Sequence, residues 1–205
     1  MNATLRVAVA GALIASTLAI TGCVPLAATG VAVGTMAAID RRTVGAQTED
    51  QAIELKAADQ IRATLGQSSI SVTSFNRKVL LTGQAATEQD KRNAERIVAA
   101  IDNVRSVHNE LQVLGSPSLT SRAADTSITA RVKTALINAQ DIKGNTVKVI
   151  TESGTVYLMG LVSRREADRA AQVASRVSGV QRVVTVFELI TEEEAARLHG
   201  AAQQK

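Results

Sequence analysis

The sequence predicts an α+β protein built from two tandem copies of one small α-β-β-α-β unit. Two observations indicate this fold class. Stretches of the chain recur at an offset of 76 or 77 residues, and within each copy apolar residues at helical spacing alternate with short β-rich runs. A period this long, present only twice, is typical of two small domains. We expect the helices of each unit to pack on one face of a three-stranded sheet.

The first two strands of each unit carry the clearest repeat. The run Val-Leu-Leu-Thr-Gly at Val79 returns as Val-Tyr-Leu-Met-Gly at Val156, an offset of 77 residues (156 − 79). The strand before it repeats at the same offset, with Ile70 and Val72 mapping onto Val147 and Val149. In the second copy the strands span 147–151 and 155–159, joined at a turn where Gly154 supplies positive φ. In the first copy we expect Asn76 to occupy that turn position.

A helix precedes this hairpin in each copy and another follows it. The first helices are predicted from single apolar stripes: Ile53, Ala57 and Ile61 in copy one, and Ile128, Val132, Ala135 and Leu136 in copy two. We expect Gly83 and Gly160 to end the second strands. Capping sequences at Thr87 and at Ser163 then begin the second helices. Third strands follow over 104–113 and 180–190, and a capping box at Thr191 predicts a short C-terminal helix.

The amino-terminal segment carries one cationic side chain, an apolar run and then a cysteine. Arg6 precedes an apolar run over 7–20 that is too short to span a membrane comfortably, which is typical of a signal peptide over 1–22. The run ends in Ile-Thr-Gly before Cys23, the only cysteine, and this resembles the lipobox at which bacterial lipoproteins are cleaved and lipidated. The alternative is a buried cysteine after an ordinary signal peptide.

Residues 23–47 are predicted to be the lipidated cysteine and a tether. The tether either lies near the membrane surface or packs on the folded part. Another interpretation continues the first helix into a long transmembrane segment, but Gly22, Pro25, Gly30 and Gly34 argue against a continuous helix.

Composition excludes several functions. The hydrophobic fraction of 45% allows a core, but Phe75, Tyr157 and Phe187 are the only aromatic residues. Single-stranded nucleic-acid binders stack bases on aromatic side chains, so we expect no nucleic-acid partner. One cysteine permits neither an intrachain disulfide nor a CxxC metal site. No catalytic or metal-ligand motif surrounds His108 or His199 in the sequence. No catalytic residue, metal site or cofactor is therefore predicted, and the chain is not expected to be an enzyme.

The unit resembles the BON domain, and two such units behind a lipobox resemble the dual BON-domain lipoproteins of the Gram-negative outer membrane, the DolP-like family. The runs that carry the resemblance begin at Asp40 (Asp-Arg-Arg-Thr-Val-Gly), Val156 (Val-Tyr-Leu-Met-Gly-Leu-Val) and Ala174 (Ala-Ser-Arg-Val-Ser-Gly-Val). The predicted boundaries are BON domain 1 over 48–115, a linker over 116–124, BON domain 2 over 125–191, and a C-terminal helix and tail over 192–205.

The resemblance implies a non-enzymatic lipoprotein anchored in the outer membrane and facing the periplasm. Val24 after the cysteine fits outer-membrane sorting. It also implies that the second BON domain binds anionic phospholipids of the outer membrane's inner leaflet. Such a protein supports envelope integrity and is enriched at division sites, where envelope or division proteins are further possible partners. The alternative is a protein-interaction adaptor of the envelope with no direct lipid recognition.

The first helix of copy two offers a candidate lipid face. At 100° per residue, Ile137 lies opposite the buried stripe and between two cations. The predicted lipid-contacting residues are Ser127, Ala130, Arg131, Lys133, Thr134 and Ile137. An apolar tip would enter the headgroup boundary while the cations meet phosphates. The alternative is a solvated helix face with one stray aliphatic residue. Ser127 stands where better-known relatives place a tryptophan, and this departure bears on the depth of insertion.

Two other predicted helices also carry several charged side chains. In copy one Glu54, Lys56 and Asp59 give the first helix mixed charge, so we expect that copy to be structural or protein-binding. In copy two the second helix carries a row of arginines that is either a second anionic contact or, more commonly, a solvated face: Arg164, Arg165, Arg169 and Arg176.

Overall fold

The computed structural model describes residues 40–66, 69–113, 119–139, 141–142 and 146–202. The predicted signal peptide, Cys23 and the tether up to residue 39 lie outside these residues. Within the described ranges, no helix is both long enough and apolar enough to span a bilayer.

Domain 1 contains two helices and a sheet whose third strand is in two pieces. Its elements are α1 (Val44–Leu65), β1 (Ser69–Phe75), β2 (Lys78–Ala85), α2 (Glu88–Ala99), β3 (Ser106–Asn109) and β4 (Gln112–Val113). β1 pairs antiparallel with β2, and β3 and β4 both pair parallel with β2. The helix α1 begins at Val44, four residues before the predicted start of the domain, and Thr43 caps it by accepting the Ala46 amide at 3.1 Å.

Domain 2 repeats this order with a longer third strand. Its elements are α3 (Leu119–Asn138), β5 (Val147–Glu152), β6 (Thr155–Ser163), α4 (Arg164–Ser175) and β7 (Arg182–Ile190), followed by the C-terminal helix α5 (Glu192–Ala202). The strand order is β5-β6-β7, antiparallel then parallel. Ser163 and Glu166 form the predicted capping box at the start of α4. The two α-β-β-α-β units are confirmed.

Each domain has its own aliphatic core between helices and sheet. In domain 1 the stripe of α1 packs against β2 and α2 through Ile53, Ala57, Ile61, Val79, Leu81, Ala94 and Val98. In domain 2 the stripe of α3 packs against β6 and α4 through Ile128, Val132, Leu136, Val156, Leu158, Val162, Ala170 and Ala174. Small alanines on α2 and α4 let these helices approach the sheet closely.

The faces of the two sheets that carry no helices pack on each other. Domain 1 contributes Phe75 and Leu80, and domain 2 contributes Tyr157, Met159, Leu161 and Val186 to this shared cluster. Ion pairs border the cluster, joining Arg182 to Glu110 at 3.1 Å and Lys148 to Glu54 at 3.2 Å. All nine residues of β6 are buried, because helices cover one face of this strand and domain 1 covers the other.

The hairpin turns match the expected geometry. Asn76 and Arg77 have φ of 50° and 65°, and Ser153 and Gly154 have φ of 49° and 74°. Two consecutive residues with positive φ match the right-handed twist of the strands that they join. The sequence identified Asn76 and Gly154, but it did not indicate that Arg77 and Ser153 share the conformation.

The prediction that Gly83 and Gly160 end their strands was wrong. Both lie inside a strand, at close approaches between backbones. A Cβ atom would stand 2.0 Å from the Ser69 carbonyl oxygen at Gly83, and 2.6 Å from the Thr146 carbonyl oxygen at Gly160. Only glycine fits at these two positions, because the neighbouring backbone leaves no room for a Cβ atom, and strand pairing continues beyond both residues.

The prediction of one third strand over 104–113 was also wrong, because β3 and β4 are separate. The Asn109 side-chain oxygen accepts the backbone amide of Leu111 at 3.2 Å, and Glu110 donates its own amide to the Leu81 carbonyl at 3.0 Å. This local turn directs Leu111 into the core, where it is buried. The third strand of domain 2 has no such interruption, and it runs from Arg182 to Ile190.

Candidate functional site: the outer face of α3

Helix α3 presents opposite faces to the core and to solvent. Ile128, Val132 and Leu136 are buried against the sheet. The six predicted lipid-contacting residues are all exposed on the other side: Ser127, Ala130, Arg131, Lys133, Thr134 and Ile137. Ile137 is 48% exposed, and among the large apolar residues that the structure describes only Val44, Leu55 and Leu189 are also prominently exposed. The geometry on which the predicted site depends is therefore present, whereas lipid contact stays a prediction.

Two hydrogen bonds hold the Arg131 guanidinium in place. Its Nη1 donates to the Ser127 hydroxyl at 2.7 Å, and its Nη2 donates to the Ser178 carbonyl at 3.1 Å. Gly179 makes room for this arrangement: its φ is +91°, and a Cβ there would lie 3.1 Å from Nη2. Ser127 therefore supplies a hydrogen-bond acceptor at this position, which orients a cation and adds no apolar surface.

Lys133 borders a cleft of about 480 Å³ between α3 and β5. Among the described residues it forms no ion pair. Burial, and secondarily the Asp125 charge, raise the pKa of the Glu152 carboxyl across the cleft, while the Arg122 charge opposes this shift. Thr134 contributes little to the surface chemistry, because its hydroxyl donates to the Ala130 carbonyl at 3.0 Å.

A buried aspartate that the sequence analysis missed fixes the start of this face. Asp125 accepts the backbone amides of Ser153 and Gly154 at 2.8 and 2.9 Å, so α3 is joined to the β5–β6 turn. Asp50 has the same role in domain 1, where it accepts the amides of Asn76 and Arg77, both at 2.7 Å. The repeat contained a signal for both, since each aspartate precedes by three residues the first isoleucine of its helix stripe.

Of the four arginines in the predicted row on α4, two have acidic partners among the described residues. Arg169 forms an ion pair with Asp141 at 2.9 Å, and Arg165 donates to the Asp141 carbonyl and pairs with Glu192 at 3.5 Å. Arg164 and Arg176 are exposed and form no ion pair with other described residues. Half of the predicted row is therefore already engaged within the fold.

The segment that precedes α1 is attached to both domains, and we call residues 40–43 the tether root. Arg41 is 5% exposed and binds Glu166 of domain 2 through both terminal nitrogens, at 2.7 and 2.8 Å, while Nη1 also donates to the Leu161 carbonyl at 2.7 Å. Burial alone would raise the pKa of the Glu166 carboxyl, but the Arg41 guanidinium and the Ser163 amide lower it below its ordinary value.

Arg42 turns the other way, toward domain 1. Its guanidinium donates to Asp40 and to Asp50, with closest distances of 2.6 Å in both cases, and it lies over the Phe75 ring at 4.1 Å from the centroid. The run that begins at Asp40 is one of those that carry the family resemblance, but the sequence does not indicate what its two arginines bind. Arg41 binds domain 2, and its neighbour Arg42 binds domain 1. A pair such as Arg41 and Glu166, which are 125 residues apart, cannot be recognised from sequence periodicity.

No group of three or more metal-ligating side chains occurs in the described ranges. The face of α3 offers two cations, Arg131 and Lys133, and one apolar tip, Ile137. This chemistry suits an interface with phosphates and hydrocarbon.

Comparison with known proteins identifies the family. The model of the BON domain matches residues 49–115 and 124–191. The chain is 33% identical to "Outer membrane lipoprotein DolP" of Haemophilus influenzae over 181 residues, which cover 87% of this chain and 94% of that protein. It is 34% identical to "21 kDa hemolysin" of Actinobacillus pleuropneumoniae over 155 residues, covering 74% and 80%.

A third relative is "Osmotically-inducible protein Y" of Escherichia coli, 31% identical over 145 residues that cover 68% of this chain and 72% of that protein. The BON domain and the DolP-like relatives are non-enzymatic families. With two BON domains in one body and this similarity over most of its length, the chain belongs to the BON-domain family, as a dual BON-domain outer-membrane lipoprotein of the DolP-like type.

Proposed function

We propose that this envelope-associated lipoprotein binds anionic phospholipid through the outer face of α3 and thereby supports envelope integrity from the periplasmic side of the outer membrane. The observation that carries the proposal is the exposed Ile137 at the C-terminal end of a helix face that also bears Arg131 and Lys133. An isoleucine can enter the headgroup boundary, and each cation near an anionic surface contributes about 1 kcal/mol.

The orientation of Arg131 supports phosphate recognition. The Ser127 hydroxyl and the Ser178 carbonyl fix the guanidinium before any lipid arrives. A pre-positioned cation loses less conformational entropy on binding than a free side chain. The remaining N–H groups of Arg131 are available to a phosphate oxygen, with which a guanidinium forms charge-assisted hydrogen bonds.

Attachment through Cys23 makes weak recognition sufficient. Cys23 is the only cysteine of the chain and hence the residue to carry the lipid anchor. Several acyl chains hold a protein stably in a membrane. The anchor raises the effective concentration of α3 at the bilayer, so the face needs only modest affinity of its own.

Sedimentation of residues 40–205, which contain both cores, with vesicles of defined composition tests the proposal. We expect binding to vesicles that contain phosphatidylglycerol, weakened by salt, and little binding to phosphatidylcholine alone. Arg131→Glu with Ile137→Asp should abolish the binding. The matched control is Lys56→Glu with Leu55→Asp on α1, which makes the same change of charge and of apolar residue on the first helix of domain 1.

Equal loss in both double variants would attribute binding to net charge and contradict a specific α3 face. No binding by the parent chain would favour the second candidate, an envelope adaptor that binds protein partners. A specific observation favours that candidate: Leu55 on α1 is 69% exposed, in the domain that lacks the cationic arrangement. Enrichment at division sites would then depend on such a partner.

A further inference from the structure

The tether root and the C-terminal end of α3 lie at the same end of domain 2. Arg41 binds Glu166 in the first turn of α4. Asp141, three residues after α3 ends, contacts Arg165 and Arg169 in the first two turns of α4. The opposite end of domain 2 holds the β5–β6 turn, which binds Asp125 near the start of α3.

Exposed apolar side chains concentrate at this end. Four large apolar residues are prominently exposed in the described part of the chain: Val44, Leu55, Ile137 and Leu189. Val44 directly follows the tether root. Leu189 pairs with Val162 at the end of β6, just before α4 begins. Ile137 ends the exposed face of α3, so Ile137 and Leu189 belong to the end of domain 2 that receives Arg41, and Val44 of domain 1 adjoins that end through the tether root.

The sequence before the root suits a bilayer. From Cys23 to residue 39 no side chain carries a formal charge, and Asp40 is the first charged residue after the cysteine. An uncharged segment attached to a lipid anchor favours the membrane interface, and the chain leaves that interface where charge begins. The first charged residues after the cysteine are those of the tether root, and Arg41 joins the root to domain 2 by binding Glu166.

We infer that the end of domain 2 bearing the tether root, Val44, Ile137 and Leu189 is the membrane-proximal end of the molecule, held there by Arg41 and Glu166 as positioning residues. The inference rests on lipid anchoring and is independent of anionic lipid. Part of the charge at this end is paired within the fold, with Arg165 bound to Glu192 and Arg169 to Asp141. Anionic lipid is therefore not required for the lipid-anchored chain to present this end to a bilayer.

The test uses the lipidated full chain in phosphatidylcholine vesicles that contain an acceptor-labelled lipid. The Cys23 thiol is consumed by the anchor, so one introduced cysteine takes the donor dye. Asn138→Cys places the dye at the proximal end of α3, and Ala124→Cys places it fourteen residues away, about 21 Å along the helix axis. We expect clearly higher energy transfer from position 138.

The role of the ion pair is tested with Glu166→Gln, which removes the charge but retains a residue that can complete the capping box. The difference in transfer between the two dye positions should shrink. Trypsin cleavage after Arg41 or Arg42 should accelerate by about tenfold or more, because an unpaired buried charge favours local opening. Arg62→Gln, which breaks the exposed Arg62–Asp59 pair, is the control and should change neither quantity.

Equal transfer from the two positions, or higher transfer from position 124, would overturn the inference. So would a Glu166→Gln variant that keeps the full difference together with the parent's resistance to trypsin. Failure of the proposed function gives a different result. If α3 does not bind anionic lipid, adding phosphatidylglycerol leaves transfer from position 124 unchanged, while position 138 still reports the proximal end.

Discussion

At the scale of single residues, buried charged side chains in three places set the structure around the helix starts. Asp50 and Asp125 each bind the amides of a hairpin turn. Arg41 and Glu166 form a buried ion pair that three further hydrogen bonds support. Arg41 donates to the Leu161 carbonyl, the Glu166 carboxylate accepts the Ser163 amide, and the Ser163 hydroxyl accepts the Glu166 amide. Breaking such a pair on one side is costly because the remaining charge stays out of water.

The Glu166 pair predicts a defined pH dependence. Because the pKa of Glu166 is lowered in the folded protein, its contribution to stability is complete above the ordinary glutamate value of 4.5 and is lost as pH falls through the lowered pKa. Glu166→Gln should therefore cost about 3 kcal/mol at neutral pH, and less in acid. Urea unfolding of both proteins across that range checks this, and a pH-independent difference would contradict it.

At the scale of elements, the repeat made helices and hairpins predictable, because amphipathic stripes and turn residues act locally. The two interior glycines and the broken third strand of domain 1 were not predictable. They depend on which backbone lies beside them, and on the Asn109 side chain capturing an amide two residues on. The exposed face of α3 followed from periodicity, whereas one of the two hydrogen bonds that orient Arg131 reaches a loop 47 residues away.

Gly83→Ala tests the account of the glycines. The methyl group would meet the Ser69 carbonyl at 2.0 Å, and the residue has φ of +96°, so we expect a loss of about 3 kcal/mol or more. Gly45→Ala is the matched substitution within α1, where the nearest atom is 3.9 Å away, and it should stabilise by up to about 1 kcal/mol. Thermal melts of both variants measure the contrast, and similar losses would refute it.

At the scale of the whole molecule, the two domains form one body because each sheet covers the other. The sequence predicts two domains joined by a linker over 116–124, but it does not indicate which faces of the domains meet. A face buried by another domain has the same alternation as a face buried by helices. Because domain 1 covers the face of β6 that carries no helices, the whole strand is buried. Domain 2 therefore depends on domain 1 to cover Tyr157 and Met159.

This dependence predicts coupled unfolding. Tyr157, the only tyrosine in a chain without tryptophan, lies in the shared cluster and reports on it by fluorescence. In the parent protein the tyrosine signal and far-ultraviolet circular dichroism should change together in urea. Leu80→Asp, which places a charge in the cluster, should separate them, with the tyrosine signal changing first. Separate transitions in the parent would contradict a single cooperative body.

The tether root also determines how the protein bears mechanical load. Within the part of the chain that the structure describes, a force that pulls the membrane anchor away from the folded part enters at residues 40–43. Arg41 passes that load to β6 and α4, while Arg42 passes it to the turn after β1 through Asp50. Tension is thus divided between the domains at a single point, and the amino-terminal domain does not have to unravel before its neighbour resists.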